Sequence, residues 1–263
     1  MDGRVDPSRI AAAARTLADP DVCCFQEVAC NFDTLAGSAG EDQAALLAAA
    51  FPGYSAHVAW AVDVPDGRGG RRRFGNLLLS RLPVQRVRRH ALPWPADDEV
   101  PSMARVALEA DVLAPWGGVS VTTTHLEYYS ARQRAAQVAR LRELEAERVL
   151  QAHATPSGAD KSGPFEPLPR PRASVLAGDF NMPPEDPVRV RLLDTWRDTW
   201  TLAHPGVPHP PSFYVHDADA GVEPYCCDYV LVSDDLAPRI ASVRVDAATQ
   251  ASDHQPVIVA FRD

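Results

Sequence analysis

Acidic, amide and imidazole side chains stand at the ends of several apolar, strand-like runs in this sequence. A site assembled on a rigid sheet needs this placement, because strand ends hold side chains in fixed positions. The residues are Glu27, His125, Asp179, Asn181, Asp228, Asp253 and His254. Carboxylates are hard oxygen ligands that suit Mg²⁺, and imidazoles exchange protons near neutral pH. The pattern therefore indicates a polar site that could support hydrolytic chemistry.

Taken one at a time, these residues have ordinary structural explanations. The segment Gly178-Asp-Phe-Asn181 could be a simple turn, because glycine, aspartate and asparagine all favour turns. Glu27 could be a solvated or helix-capping acid, and His125 could be a hydrogen-bonded histidine at a strand terminus. Their combination, in this order, is difficult to explain as a set of turns.

Six short motifs occur between the first quarter of the chain and its end. They are Phe25-Gln-Glu27, Gly75-Asn-Leu-Leu-Leu-Ser-Arg81, Thr124-His-Leu126, Gly178-Asp-Phe-Asn181, Cys227-Asp-Tyr-Val230 and Ser252-Asp-His-Gln-Pro256. In these motifs the chain resembles the endonuclease/exonuclease/phosphatase superfamily, which includes DNase I-like nucleases, apurinic-site endonucleases, sphingomyelinases and inositol-polyphosphate 5-phosphatases. The Gly-Asp-Phe-Asn and Ser-Asp-His motifs are its most specific part.

The resemblance implies a metal-dependent phosphoesterase. It places Glu27 and Asp253 at the metal, which we expect to be Mg²⁺, with Mn²⁺ as an alternative. Asp179 is expected to orient or deprotonate the attacking water, and Asn181 to hold water or phosphate.

The same resemblance assigns the two histidines to the phosphoryl oxygens. His125 and His254 would contact these oxygens, and His254 would be the cationic one. Asp228 would hydrogen-bond His254 and raise its pKa, because an adjacent carboxylate stabilises the imidazolium.

Three further residues are candidates for substrate binding. Asn76 belongs to a matching motif, and Tyr128 could line the cleft or simply pack beside a helix. Arg132 lies in the first turn of a predicted helix, where the helix dipole disfavours positive charge. This placement suggests a phosphate or an acidic partner.

The elements that would position these residues mix helices and strands irregularly. Helices are predicted after Asp6-Pro7, over Glu41–Ala50, from the Ser130 cap to about Ala152, and after Asp186-Pro187. Strands are predicted over 22–25, 55–62, 75–80, 104–112, 119–125, 173–177, 229–232, 240–245 and 257–261, with Glu27 at or just past the end of the first. We expect one α+β domain over residues 1–263, a four-layer α/β/β/α sandwich of two largely antiparallel sheets.

The beginning of the chain departs from the resemblance. The family normally opens with a buried strand ending in an asparagine that helps to hold the metal, whereas Met1–Asp6 is similar to the loop after that strand. Either an upstream segment is missing or the protein lacks this ligand and this strand. We favour the first alternative, because losing an inner strand leaves unpaired backbone edges. Residues 155–172, rich in proline, are expected to form an exposed loop.

Composition limits the possible partners and compartments. The chain of 263 residues has a net charge of −9, which makes duplex DNA possible but not favoured, since binding along a duplex needs a basic surface. No apolar run is long enough to span a bilayer, and we see no signal peptide, so a cytoplasmic location is expected. The five cysteines include no CxxC pair. Cys23, Cys24, Cys226 and Cys227 lie in apolar strand-like runs and are expected to be small buried side chains, with a redox effect on nearby Glu27 and Asp228 as the alternative.

The expected function is therefore hydrolysis of a phosphate ester, most simply a phosphodiester, with a metal-assisted water. A nuclease and an enzyme acting on a small molecule or lipid headgroup both fit. The alternative from another class is a non-catalytic binding protein on the same scaffold, supported by the missing first strand and its asparagine. The oligomeric state is left open.

Overall fold

Two larger β-sheets, one two-stranded sheet and five α-helices form most of the computed structural model, which describes residues 6–154, 157, 160–168, 170–217 and 221–263. The strands are β1 (Val22–Cys30), β2 (Ser55–Pro65), β3 (Arg71–Ser80), β4 (Val84–Ala91), β5 (Val106–Ala114), β6 (Gly117–His125), β7 (Ala173–Asp179), β8 (Arg197–Asp198), β9 (Asp228–Val232), β10 (Ile240–Val245) and β11 (Val257–Phe261). The helices are α1 (Pro7–Ala18), α2 (Gln43–Ala50), α3 (Ala131–His153), α4 (Pro187–Val190) and α5 (Thr199–Ala203).

Sheet order and burial together define the layers. One sheet has the order β1-β3-β2, the second has the order β4-β5-β6-β7-β9-β8, and β10 pairs with β11. Leu78 of β3 packs against Leu108 of β5 between the sheets, whereas its neighbour Leu77 faces the other way, toward Leu47 of α2. Val138 of α3 covers the outer face of the second sheet. This confirms the α+β sandwich, with helices outside two facing sheets.

Local sequence signals account for the helix starts. The Asp6 carboxylate accepts a hydrogen bond from the Arg9 amide at 3.0 Å, and Ser130 Oγ accepts one from the Gln133 amide at 3.1 Å. The buried side of α3 is partly polar, because Gln137 and Glu145 lie in it beside Val138 and Leu141. None of the described helices is both long and apolar enough to cross a membrane.

The predicted end of β1 is wrong, and this matters for the site. The strand continues to Cys30, so Glu27 lies inside it, at an irregularity between Phe25 and Val28 where the pairing with β3 shifts. A short apolar run cannot reveal such a bulge, because the extra residue interrupts the alternation that marks a strand. Strands β4 and β8 and helix α5 were also not predicted.

Two predictions about irregular segments are tested only in part. Residues 161–166, inside the predicted proline-rich loop, are exposed and contain one 3₁₀ turn at Gly163–Phe165. Residues 155, 156, 158, 159 and 169 lie outside the described residues, as do residues 1–5 of the expected opening loop.

Three of the four cysteines that were predicted to be buried are buried. All five are free thiols; Cys23, Cys30, Cys226 and Cys227 are buried, and Cys24 is half-buried. Burial raises the pKa of the Cys226 thiol to about 12, so this side chain is a protonated, apolar neighbour of the strand that carries Asp228.

The parallel pair β6/β7 brings two of the motifs together. His125 is level with Asp179, and Thr124 is level with Gly178. Gly178 has φ +140, and a Cβ there would lie 1.9 Å from the Thr124 carbonyl oxygen. The glycine of this motif is therefore required for close strand approach.

We predict that Gly178→Ala lowers the free energy of unfolding by at least about 2 kcal/mol, because the methyl group must displace the β6 backbone. Gly117→Ala is the matched control: Gly117 has φ +134, but nothing lies within 4 Å of its Cβ position. Urea unfolding followed by circular dichroism compares the two. Equal losses in both variants would show that backbone conformation, and not the close approach of β6 and β7, determines the effect.

Candidate active site

Three neighbouring strands place polar side chains at one edge of the second sheet. His125 ends β6, Asp179 ends β7, and Asp228 begins β9. The pairing register puts His125 beside Asp179 and Asp179 beside Asp228. Residues that are far apart in sequence thus become adjacent because β7 runs parallel to β6 and antiparallel to β9.

The Asp179 carboxylate is the centre of this cluster. Its Oδ2 lies 3.4 Å from His125 Nε2 and 3.9 Å from His254 Nε2, and its side chain is only 6% exposed. Burial, together with the charge of Asp228, raises the pKa of Asp179 to about 7, although the His254 charge opposes this. A carboxyl group with such a pKa can accept a proton near neutral pH.

His254 is held by a chain of hydrogen bonds. Its Nδ1 donates to Asp228 Oδ2 at 2.8 Å, and Ser212 Oγ donates to the same oxygen at 2.7 Å. The Phe213 ring stacks on the imidazole, with centroids 4.3 Å apart. Burial lowers the pKa of His254, but Asp228 outweighs this by its charge and hydrogen bond, and the pKa rises to about 10. His254 is therefore an imidazolium at neutral pH.

His125 has the opposite protonation state. Its burial lowers the pKa well below the ordinary value, and the positive charges of Arg105 and His254 act in the same direction. The site thus contains one neutral and one cationic imidazole, both directed at Asp179.

Two of the predicted residues have left-handed backbone conformations, which are uncommon outside glycine. Asn181 has φ 52; its amide N–H donates to Asp179 Oδ1 at 2.8 Å and its Nδ2 donates to the Leu126 carbonyl at 2.8 Å. Glu27 has φ 59 at the β1 bulge, and its carboxylate is 53% exposed, 3.9 Å from His125 Nε2. Such backbone strain tends to persist at functional positions.

The structure places the remaining candidates unequally. Asp253 is half-buried directly before His254, and Ser252 Oγ donates to its Oδ1 at 3.3 Å. Asn76 is buried and its Nδ2 donates to the Val106 carbonyl, so this amide nitrogen joins the two sheets. Tyr128 is exposed. Arg132 is turned toward the preceding loop, where it donates to the Ala96 carbonyl at 2.9 Å.

A divalent cation could find two kinds of donor here. Among the described residues, Asp179, Cys227, Asp228 and His254 bring ligand atoms within 4.8 Å of one another. This set fits a hydrogen-bond network better than a cation, because burial raises the pKa of the Cys227 thiol and Asp228 already accepts from His254. The Glu27 carboxylate is a hard oxygen donor on a half-exposed side chain, which suits a hard cation.

A buried ion pair beside His125 was not predicted from the sequence. Arg105 Nε donates to Glu127 Oε2 at 3.1 Å, and the two side chains are 6% and 1% exposed. Arg105 Nη1 has no hydrogen-bond partner among the described residues. The signal was weak but present, because Arg105 directly precedes β5 and Glu127 follows the Thr-His-Leu motif.

The chain matches the Endonuclease/Exonuclease/phosphatase family over residues 3–254. A structure described as an endonuclease/exonuclease/phosphatase from Beutenbergia cavernae superposes with a TM-score of 0.67 at 23% identity, covering 99% of this chain and 67% of that one. None of the curated proteins matches the chain.

Two structures with more specific descriptions share the fold. A mannosyl-6-phosphatase from Bacteroides thetaiotaomicron has a TM-score of 0.63 at 15% identity, with 97% of this chain and 91% of that chain covered. An AP endonuclease from Archaeoglobus fulgidus has a TM-score of 0.59 at 17% identity, with 98% and 96% covered. At these identities the likeness concerns the fold alone.

Proposed function

Because this chain belongs to the endonuclease/exonuclease/phosphatase family, we propose that it is a divalent-metal-dependent hydrolase of phosphate esters, acting as a phosphodiesterase with Mg²⁺ or, in its place, Mn²⁺. One observation carries the proposal: Asp179 Oδ2 is approached by a neutral imidazole at 3.4 Å and by an imidazolium at 3.9 Å. A proton acceptor beside a positive charge is what transfer of a phosphoryl group to water requires.

The cation would be held by Glu27 and Asp253. When bound, it supplies positive charge that offsets the charge of the phosphoryl oxygens. The half-exposed Glu27 carboxylate and the neighbouring Asp253 are hard oxygen donors, and the Asp253 charge is close enough to act on the Glu27 carboxyl group. Binding of the cation by these two carboxylates does not involve the protonated Cys227 thiol.

Asp179 would activate the attacking water. Its pKa of about 7 lies near the operating pH, where a general base is most effective. The Asn181 amide N–H, 2.8 Å from Asp179 Oδ1, fixes the orientation of the carboxylate and leaves Oδ2 available for water. The hydrogen bond from Asn181 Nδ2 to Leu126 keeps this turn in place.

Three cations or dipoles would act on the phosphoryl oxygens. The His254 imidazolium donates from Nε2, because its Nδ1 is already bonded to Asp228. Neutral His125 can donate a hydrogen bond from the same side. Arg105 adds a buried positive charge whose Nη1 is not used within the described protein. In a site with little water, each such donor stabilises the transition state more strongly than it would in solution.

The charge of the chain bears on substrate choice. A net charge of −9 opposes accumulation along a DNA duplex, whereas the metal and His254 supply local positive charge for a single phosphate group. We therefore propose a small phosphodiester in preference to duplex DNA. Binding to a DNA duplex that weakens steeply between 50 and 200 mM salt would instead indicate a duplex-binding protein.

The direct test is a hydrolysis screen over phosphodiesters, phosphoinositides and nucleic acids, with Mg²⁺, Mn²⁺ or a chelator. We expect metal-dependent release of product by the wild type and a loss of at least about 10²-fold in kcat/KM in His254→Ala, because the imidazolium is removed. His153→Ala, at the exposed end of α3, is the matched control and should retain wild-type rates.

Turnover that survives in the chelator, or in folded His254→Ala, would refute this mechanism. Binding of these esters without turnover in any metal would favour the non-catalytic alternative. Circular dichroism melting curves of both variants establish that a lost activity is not a lost fold.

A further inference from the structure

Five aromatic side chains form a continuous surface beside His254. We call this surface the aromatic wall; it consists of Tyr128, Tyr129, Phe213, Tyr214 and Tyr225. Neither the family assignment nor the proposed hydrolysis requires it. Its residues come from the segment after β6 and from the segments before β9, so the folded chain is needed to bring them together.

Ring contacts connect the wall to the candidate catalytic cluster. The Phe213 ring lies 4.3 Å from the His254 ring on one side and 3.8 Å from the Tyr214 ring on the other, measured between centroids. The Tyr214 phenol interacts in turn with the Tyr128 phenol, which forms an edge-to-face pair with Tyr129 at 4.8 Å. The wall therefore begins at the imidazolium and extends away from it.

Backbone hydrogen bonds hold the wall in one position. Phe213 forms single bridges with both Tyr225 and His254, and the Gln255 amide donates to the Ser212 carbonyl at 2.6 Å. Tyr214 has φ 59, a conformation that a bulky residue adopts only when its surroundings impose it. A surface fixed in this way is ready to receive a ligand without first losing conformational entropy.

The outer end of the wall is open to solvent. The Tyr128 residue is 42% exposed and Tyr129 is 58% exposed, whereas the other members are half-buried. Single exposed aromatic residues are common on protein surfaces, whereas contiguous apolar surface often marks a site for a ligand or partner. Stacking on tyrosine binds any flat π system and needs no positive charge, which suits an acidic protein.

We propose that the aromatic wall binds a planar unsaturated ring carried by the substrate, so that the enzyme prefers phosphate esters of a nucleoside or an aryl group over alkyl esters. This inference rests on the proposed function, because it takes the phosphate to lie at Asp179 and His254. The ring would then lie along Tyr214 and Tyr128, which are two and three side-chain contacts away from the imidazolium. A nucleobase and an aryl group both present the flat π surface that the wall would recognise. The choice of probes distinguishes between them.

The test compares three phosphate probes of the same charge type: AMP, phenyl phosphate and methyl phosphate. Their dissociation constants are measured by calorimetry with Mg²⁺ present, and kcat/KM is measured for the corresponding methyl diesters. The variants are Tyr128→Ala, Tyr129→Ala and the double variant. The backbone bond from the Tyr129 amide to Glu127 Oε1 does not involve the replaced side chain. Phe165→Ala removes an exposed aromatic ring from the distant 160–168 segment and is the matched control.

We expect the wild type and Phe165→Ala to bind at least one ring-bearing probe at least about fivefold more tightly than methyl phosphate. In the double variant the ratio between the ring-bearing probe and the methyl probe should fall close to one, both for the binding constants and for kcat/KM. Leaving-group chemistry is the same for every variant, so the change in the ratio reports the ring contact. Preference for AMP alone identifies a nucleobase, and preference for both identifies any planar ring.

Equal binding of the three probes by the wild type, or a preference that the double variant retains, overturns the inference. These outcomes differ from a failure of the proposed function. If no diester is hydrolysed with any metal, the hydrolase proposal fails, and the binding ratios still decide whether the wall recognises a ring. If all diesters are hydrolysed with unchanged ratios, only the aromatic-wall inference fails.

Discussion

Asp179→Asn should lower kcat/KM by about 10²- to 10⁴-fold, the usual effect of losing a general base. The amide keeps an oxygen that can accept the hydrogen bond from the Asn181 N–H, now 2.8 Å from Oδ1, so the turn should persist. It cannot take a proton, whereas the carboxyl group, whose pKa is raised to about 7 by burial and by Asp228, can. Steady-state kinetics across pH 5–9 with saturating metal measure the loss.

Asp194→Asn is the control for the change of charge. Asp194 is exposed and pairs with Arg142, away from the cluster, so its variant should keep the wild-type kcat/KM. The two proteins should also unfold at similar temperatures. If Asp179→Asn retained more than about a tenth of wild-type kcat/KM, Asp179 would not be the proton acceptor.

Asp228→Asn should also lower kcat/KM strongly, because it changes the protonation state of His254. With the Asp228 charge lost and the hydrogen bond weakened, only the charges of Asp179 and Asp253 oppose the effect of burial, so the pKa of His254 should fall from about 10 toward its ordinary value of 6.5. The imidazole would then be largely neutral at pH 8, and kcat/KM should fall by about 10²-fold or more. NMR titration of the His254 ring measures the pKa without any substrate.

The hydrogen-bonded pair of Asp228 and His254 should also make the free energy of unfolding depend on pH. A histidine whose folded-state pKa is raised stabilises the fold fully below its unfolded pKa of 6.5, and this contribution disappears as pH rises toward 10. The wild-type free energy of unfolding should therefore decline more between pH 6.5 and 10 than that of Asp228→Asn. Asp234→Asn, an exposed carboxylate paired with Arg197, should follow the wild type. A His254 pKa that is the same in Asp228→Asn and wild type would contradict this positioning role.

Much of the site was accessible from the sequence because its residues sit in short motifs at strand ends. The Gly-Asp-Phe-Asn segment combines a glycine needed for the 1.9 Å approach, a carboxylate and an asparagine with φ 52, and each requirement restricts the residue type locally. The helix caps at Asp6 and Ser130 were predictable for the same reason, since the hydrogen bond spans only three residues.

Other features depend on contacts between distant segments. The Arg105–Glu127 pair joins residues that are 22 positions apart. From the sequence alone, each of these residues would be predicted to be an ordinary charged residue on the surface. The aromatic wall is similar, because Tyr128 and Tyr214 become neighbours only when the segments after β6 and before β9 meet. Glu27 lies within β1 because a bulge interrupts its pairing with β3, which no local alternation reveals.

The chain's residue order thus specified the chemical groups of the site and, except for Glu27, their positions at strand ends, because turns, caps and strand alternation depend on residues that are close in sequence. Packing of the two sheets specified the protonation states: neutral His125, cationic His254 and an Asp179 with a pKa of about 7. These states arise from burial and from charges brought within about 4 Å across strands, where Coulomb interactions are strong. Such distances belong to the folded chain and have no counterpart in the spacing of its residues.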